Sequence, residues 1–254
     1  MRRFYLEKVN KKNGYCIITG SEARHITKVL RMVSGDRFVL MVGEGKRFQA
    51  LIESIESDKI IVTLEKRLPA PSPSPIEIIL CQSILRSNPM DHLIQKTSEL
   101  GVNRIIPFSS TRTIVRLKGE RADSRLRHWR KIAQSSAKQS DRFTPITVET
   151  PMGFHGMING FKNADALKII MWEEETSRDL KNLLKKSLKT QKIVYIVGPE
   201  GGFTREEIDY AMDSGFISIS LGNRILRAET AAITITAITQ YEWGDLGVSI
   251  KLHG

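Results

Sequence analysis

The run Ile193-Val194-Tyr195-Ile196-Val197-Gly198-Pro199-Glu200-Gly201-Gly202-Phe203-Thr204-Arg205-Glu206-Glu207 decides the architecture of this chain. Five consecutive apolar residues, four of them β-branched, spell a strand buried on both faces. A glycine turn follows. Thr204 and Glu207 then form a T-x-x-E capping box that opens a helix over 205–214, closed by Gly215. The next strand is expected over 216–221, and it runs into a second loop, Leu221-Gly222-Asn223-Arg224-Ile225-Leu226-Arg227-Ala228-Glu229-Thr230-Ala231. Strand, helix and strand in this order predict a mostly parallel sheet, with both loops at one edge. Ligand crevices form there, outside the carboxyl ends of strands, and glycines let a flat molecule approach bare backbone.

The turn Gly198-Pro199-Glu200-Gly201-Gly202 matches neither G-x-G-x-x-G nor a Walker A sequence, which disfavours a dinucleotide or P-loop enzyme. A lone glycine turn between strand and helix often does no more than reverse the chain. The second glycine loop at the same edge makes a binding site the stronger reading. Beyond it, a helix over 228–243 is apolar on most faces and ought to be buried within its domain or against another subunit.

Working towards the N-terminus, further strands are expected over 77–82, 104–107, 146–149 and 167–172, with helices over 90–100 and 124–139; Gly101 supplies a C-cap signal. The segment Pro69-Ala70-Pro71-Ser72-Pro73-Ser74-Pro75 has four prolines in seven positions and reads as an extended linker. Before it, β-rich runs over 15–19, 37–42, 47–55 and 59–64, with turns at 43–46 and 56–58, predict a small β-barrel interrupted by one helix over 22–32. On that helix Arg24, Lys28 and Arg31 form a basic stripe, opposite an apolar side of Ile26, Val29, Leu30 and Val33. Such a stripe is a solvated face as often as a phosphate-binding one.

Charge tilts it towards phosphate. The 254 residues hold 39 Lys and Arg against 28 Asp and Glu, net +11, of which residues 1–68 carry +6. An excess of this kind favours a polyanionic partner. Cys16 and Cys81 alone cannot build a disulfide framework or a cysteine-rich zinc site, and His25, His92, His128, His155 and His253 have no paired ligand spacing, so no metal is expected. No apolar run reaches membrane-spanning length and the start lacks a signal sequence, which predicts a cytoplasmic protein without a membrane partner.

The two loops together resemble the signature of the 16S ribosomal RNA uridine-N3 methyltransferases (RsmE), of the SPOUT class. Arg24-His25 with Lys28-Val29-Leu30-Arg31, Gln95-Lys96-Thr97-Ser98-Glu99-Leu100-Gly101-Val102, and Gln139-Ser140-Asp141-Arg142 are similar to its other motifs, so the likeness is nearly full length. Two stretches depart from the pattern: Arg86-Ser87-Asn88-Pro89 replaces a Lys-Gly-Asp-like run, and Ser136 and Lys138 replace acidic residues.

The resemblance implies an α/β fold with a PUA-like RNA-binding β-barrel over 1–68, the linker over 69–75, and a trefoil-knotted SPOUT methyltransferase domain over 76–254. It implies S-adenosyl-L-methionine as methyl donor, 16S rRNA within the small ribosomal subunit as substrate, and a homodimer whose site uses both subunits. Carried onto this chain, the donor site comprises Gly198, Glu200, Gly201, Gly202, Leu221, Gly222, Ile225, Leu226, Arg227, Ala228, Thr230 and Ala231. The catalytic candidates are Arg227, Arg142 and Glu200, and the RNA-binding candidates Arg24, His25, Lys28, Arg31, Gln139 and Arg142. Phe203 could stack on the uracil, but an aromatic after a glycine turn is more often core; Arg112, Arg116, Arg125, Arg127, Arg130 and Lys131 could follow the RNA backbone, with some of them plain surface. A catalytically silent RNA-binding factor is the alternative in a different class, and a related SPOUT enzyme acting on ribose or guanine the alternative within it.

Overall fold

The computed structural model describes all residues except 1, 7–9, 13–14, 43–45, 58, 70–73, 141, 143–144, 188–189 and 248–254. The turn at Gly43-Glu44-Gly45, Asp58, most of the linker, Asp141 and His253 therefore lie outside the described residues. The chain forms two compact units, one of Met1–Pro73 with Ala137–Thr144 and one of Ser74–Ser136 with Pro145–Gly254.

In the first unit the strands are β1 (Arg3–Leu6), β2 (Asn10–Lys12), β3 (Tyr15–Thr19), β4 (Arg37–Val42), β5 (Lys46–Ile55) and β6 (Lys59–Leu68). They make one sheet in the order β1-β4-β5-β6-β3-β2, antiparallel except for β1 beside β4. Register shifts between Gln49 and Ala50 and between Ile52 and Ser54 interrupt the β5–β6 ladder, the kind of irregularity that bends a long hairpin around its own core. That core contains Phe4, Ile18, Phe38, Leu40, Ile52 and Ile60, all buried. The short strands β1 and β2 add to the four expected.

The helix expected over 22–32 takes a different form. α1 (Gly20–Arg24) passes into a π-helical turn over His25–Val29, and Arg31 lies beyond it with φ +50°. A π-turn widens the helix, so the 3.6-residue spacing that placed Arg24, Lys28 and Arg31 on one stripe does not apply. The apolar side is also reduced: Ile26 and Met32 are buried, whereas Val29 and Val33 are exposed. The last turn of a later helix belongs to this unit too, and Lys138 Nζ there pairs with Glu22 at 2.5 Å. Residues 137–144, expected in the second domain, thus group with the first.

The second unit is built on β7 (Glu77–Ser83), β8 (Arg104–Ser109), β9 (Thr147–Val148), β10 (Met152–Gly153), β11 (Leu167–Met171), β12 (Lys192–Val197) and β13 (Ile217–Ile219). All pairings are parallel, in the order β10-β8-β7-β12-β11-β13, with β9 also beside β8. Its helices are α2 (Ser87–Glu99), α3 (Glu120–Gln139), α4 (Phe154–Gly160), α5 (Leu180–Lys186), α6 (Arg205–Asp213) and α7 (Ala228–Glu242). Alternate residues of each strand feed opposite faces, as the two-residue period requires. Ile78, Leu80, Ile193 and Tyr195 join Leu93, Leu184 and Ile235 on one side, and Ile79, Cys81, Val194 and Ile196 join Phe154 and Ile208 on the other. The sheet is thus sealed between two helical layers, which explains its nearly unbroken apolar strands.

Strand order reverses between β7 and β12. After β13, at the far edge, α7 returns to pack on β12, β7 and α2. The carboxyl ends of the strands coincide at one edge, with Gln82, Val197, Met171 and Ile219 close to it, the edge at which open α/β sheets bind their ligands. Among the described residues no helix is long and apolar enough to cross a membrane.

Candidate active site

The loop after β12 begins where Gln82, at the end of β7 and fully buried, donates from Nε2 to the Ser83 carbonyl at 3.0 Å and to the Gly198 carbonyl at 3.4 Å. Pro199 and Phe203 turn inward, and Glu200 and Gly201 face out. Gly202 has φ +69°, a left-handed conformation, and a Cβ there would run into the Glu173 carboxylate. The turn therefore requires glycine both for its backbone angle and for the approach of Glu173, from the segment after β11.

Glu207 fixes this turn to a second loop. It is 5% exposed although charged, and its Oε2 accepts from the Thr204 amide at 3.0 Å while the Thr204 side chain accepts from the Glu207 amide. The expected capping box is therefore present. The other oxygen, Oε1, accepts from the Thr111 amide at 2.8 Å and the Thr111 hydroxyl at 3.0 Å. Arg112 adds a hydrogen bond from Nη1 to the Gly201 carbonyl at 3.1 Å. Beneath, Ser83, Ser110 and Thr113 share buried hydroxyl contacts of 2.9 and 3.0 Å. The loop after β8 thus buttresses the glycine turn through polar contacts that strand and helix periodicity do not encode. The signal was available only at Glu207, whose capping role used one carboxylate oxygen and left the other to find a partner.

The second loop follows β13. Ser220 exchanges hydrogen bonds with Gly222, its hydroxyl donating to the carbonyl at 3.3 Å and accepting from the amide at 3.2 Å. Gly222 has φ +115° with open space around it. Leu226 packs on the core beneath α7, Ile225 is 89% exposed, and Arg227 is the exposed N-cap of α7, its carbonyl accepting the Ala231 amide at 2.8 Å. Ala228 and Ala231 are buried, and Thr230 is exposed.

Between the two loops lie Glu173, Glu174 and Glu175, after β11. Glu175 is ordered by the Ser177 amide at 2.8 Å and the hydroxyls of Ser177 at 2.6 Å and Ser218 at 2.5 Å. Burial pushes its pKa up, but these hydrogen bonds and the charge of Arg178 outweigh burial and hold it at about 2. The edge thus combines glycine backbone, the carboxylates of Glu173, Glu174 and Glu175, and the positive end of α7.

The donor-site candidates Gly198, Glu200, Gly201, Gly202, Leu221, Gly222, Ile225, Leu226, Arg227, Ala228, Thr230 and Ala231 all belong to these two loops and the start of α7. Arg142 does not: it groups with the first unit, its amide donating to the Ala137 carbonyl at 3.0 Å. Gln139 is exposed at the end of α3 and also falls in that unit, as do Arg24, His25, Lys28 and Arg31, all exposed. Phe203 is not available to a base. It is 3% exposed and lies in the aromatic core, parallel to Phe108 with ring centroids 6.3 Å apart. Arg112 is committed to the glycine loop, and Arg130 donates to the Val148 carbonyl at 3.1 Å.

Comparison with known proteins places this geometry in a lineage. An RNA methyltransferase domain family matches residues 72–240, and an RNA methyltransferase PUA domain family matches residues 18–65. The ribosomal RNA small subunit methyltransferase E of Mesomycoplasma hyopneumoniae is 30% identical, over 92% of this chain and 96% of that protein. The crystal structure of the same-named enzyme from Neisseria gonorrhoeae, bound to S-adenosyl methionine, superposes with a TM-score of 0.88 at 34% identity, over 96% of this chain and 99% of that one. A Legionella pneumophila methyltransferase solved with bound SAM gives 0.87 at 30% identity, over 96% and 98%. With its parallel-sheet domain, its PUA-like unit and its paired glycine loops, the chain belongs to the ribosomal RNA small subunit methyltransferase E family.

Proposed function

We propose that this protein transfers the methyl group of S-adenosyl-L-methionine to N3 of a uridine in 16S rRNA of the small ribosomal subunit. The observation that carries the reading is the placement of the two glycine loops at the carboxyl edge of one parallel sheet, after β12 and β13, in a chain whose relatives from Neisseria gonorrhoeae and Legionella pneumophila hold the donor. The exposed backbone of Gly201 and Gly222 offers hydrogen-bonding groups to the donor, and Leu221 and Leu226 offer apolar contact. Glu173 and Glu174 add negative charge that suits a cationic sulfonium or ammonium.

The sulfonium arrives activated, so the protein's task is to align uracil N3 with the methyl carbon and exclude water. N3 must lose a proton before it attacks. A cation beside O2 or O4 stabilises the resulting anion, and Arg227, carried at the N-terminus of α7, is assigned that role. Arg142 is the second candidate, and Glu200, exposed in the first glycine loop, is the candidate proton acceptor. The uridine must leave its stack to be reached. Arg24, His25, Lys28, Arg31 and Gln139 then hold the surrounding RNA.

The active form is a cytoplasmic homodimer. The α7 face that includes Ile233, Ala237 and Tyr241 remains partly or fully exposed, which supports a subunit contact there. The chain is threaded as a trefoil knot to which the two glycine loops belong. Calorimetry tests the first step: S-adenosylmethionine binds the wild type and binds Gly202→Val at least tenfold more weakly. Wild-type protein that binds no donor would leave only an RNA-binding factor.

A further inference from the structure

The loop after β8 continues past the contacts that brace the glycine turn. From Arg112 to Lys118 the chain reads Arg-Thr-Ile-Val-Arg-Leu-Lys, in neither helix nor strand, and no acidic residue occurs before Glu120. Its side chains alternate in direction. Thr113 is buried and shares hydroxyl contacts with Ser83 and Ser110, and Val115 and Leu117 pack on the core. Ile114, Arg116 and Lys118 are exposed between and beyond them. Thr111 is held by Glu207, so Thr111, Thr113, Val115 and Leu117 each anchor the backbone, and the outward side chains stand on a braced scaffold.

A lone exposed isoleucine or cation is ordinary protein surface. Three observations set this run apart. Among the described residues neither Arg116 nor Lys118 forms an ion pair with a carboxylate. Ile114 is 60% exposed although the residues on either side of it face inward or bind the fold. The run also starts at the donor loops: Arg112 donates to the Gly201 carbonyl, and a Cβ on Gly201 would lie 3.4 Å from the Arg112 Cβ. It ends at Gly119, beyond which α3 opens with Glu120 and Asp123. A polyanion lying along it is thus bounded by the glycine turn at one end and by carboxylates at the other.

We propose that residues 112–118 form a track for the unpaired RNA strand next to the target uridine, with Arg116 and Lys118 meeting its phosphates and Ile114 the face of a flanking base. The assignment rests on RNA being the substrate. Cations alone would serve any nucleic acid, but a duplex keeps its base faces stacked, and only an unstacked strand can offer one to Ile114. Because the backbone is already anchored, binding orders little more than the side chains.

Fluorescence anisotropy of the full protein with labelled oligouridylate tests the track. Arg116→Gln and Lys118→Gln each weaken binding about three- to tenfold, and each lowers the slope of log affinity against log salt by about 0.7, the loss of one phosphate contact to a single strand. Ile114→Ser weakens binding by about three- to tenfold with the slope unchanged, and leaves affinity for a duplex of the same length as it was. All three side chains are exposed, so the variants fold, and unchanged S-adenosylmethionine affinity in each separates the track from the donor site. Wild-type affinity and slope in the Arg116→Gln/Lys118→Gln double variant would overturn the proposal, as would Ile114→Ser that binds oligouridylate as well as the wild type does. Methyl transfer to rRNA by the wild type in either case would leave the methyltransferase reading standing and remove only the track.

Discussion

At the scale of single residues, Arg227, Gly202 and Glu175 carry different burdens. Arg227 is exposed at a helix N-terminus and contributes nothing to the core, so Arg227→Ala is expected to fold, to bind donor within about threefold of wild type, and to lose about 10²–10³ in turnover, the cost of removing one anion-stabilising donor. Full turnover in single-turnover assays would remove it from the mechanism. Gly202→Ala must strain a φ of +69° and displace the Glu173 carboxylate, so it lowers donor affinity more than it lowers RNA affinity. Glu175 has a folded pKa of about 2, below the value of about 4.3 expected when unfolded. A depressed carboxylate stabilises the fold above its unfolded pKa, and that stabilisation disappears as pH falls towards its folded pKa. Glu175→Gln should therefore lower the melting temperature by about 2–4 °C at pH 7, and the gap should close between about pH 4 and pH 2. A gap independent of pH would show that the charge is irrelevant.

Elements show where a sequence is legible and where it stops being so. The α6 capping box and the β12 strand were readable because each is a local pattern: a T-x-x-E start and an apolar run between turn signals. α2 begins at Ser87, three residues before the expected start at 90, and Pro89 is its third residue, where a missing N–H costs nothing. α4 and α5, seven residues each, and the two-residue β10 are too short for periodicity to register, and tertiary packing holds them. The helix over 22–32 failed because one π-turn breaks the period on which the stripe depended. Of the site, the glycine loops could be read directly, whereas the roles of Gln82, Thr111 and Arg112 depend on contacts across 89 residues or more of chain, and no local pattern announces them. Glu207 joins both levels. Glu207→Ala would leave the Thr111 and Thr204 amides without their acceptor, costing about 2–4 kcal/mol by denaturant unfolding, against about 1 kcal/mol for Thr204→Ala, which removes only the cap. Equal losses would mean that the loop clamp adds nothing.

For the whole molecule, the division of labour follows from charge and topology. The parallel sheet gathers its loops at one edge, where the donor site is proposed, and residues 1–68 carry more than half of the net charge of +11. Affinity for RNA should accordingly fall steeply between 50 and 200 mM salt, by about 10³-fold if six phosphates are neutralised, while donor affinity barely changes. The central claim is that both properties serve methyl transfer to uracil N3. Its most direct test is to incubate the purified protein and isotopically labelled S-adenosylmethionine with small ribosomal subunits that lack the modification, and to digest the 16S rRNA for nucleoside mass spectrometry. Labelled 3-methyluridine, formed about 10²–10³ times more slowly with Arg227→Ala, is the predicted result; label in any other nucleoside, or none despite bound donor, would contradict the account.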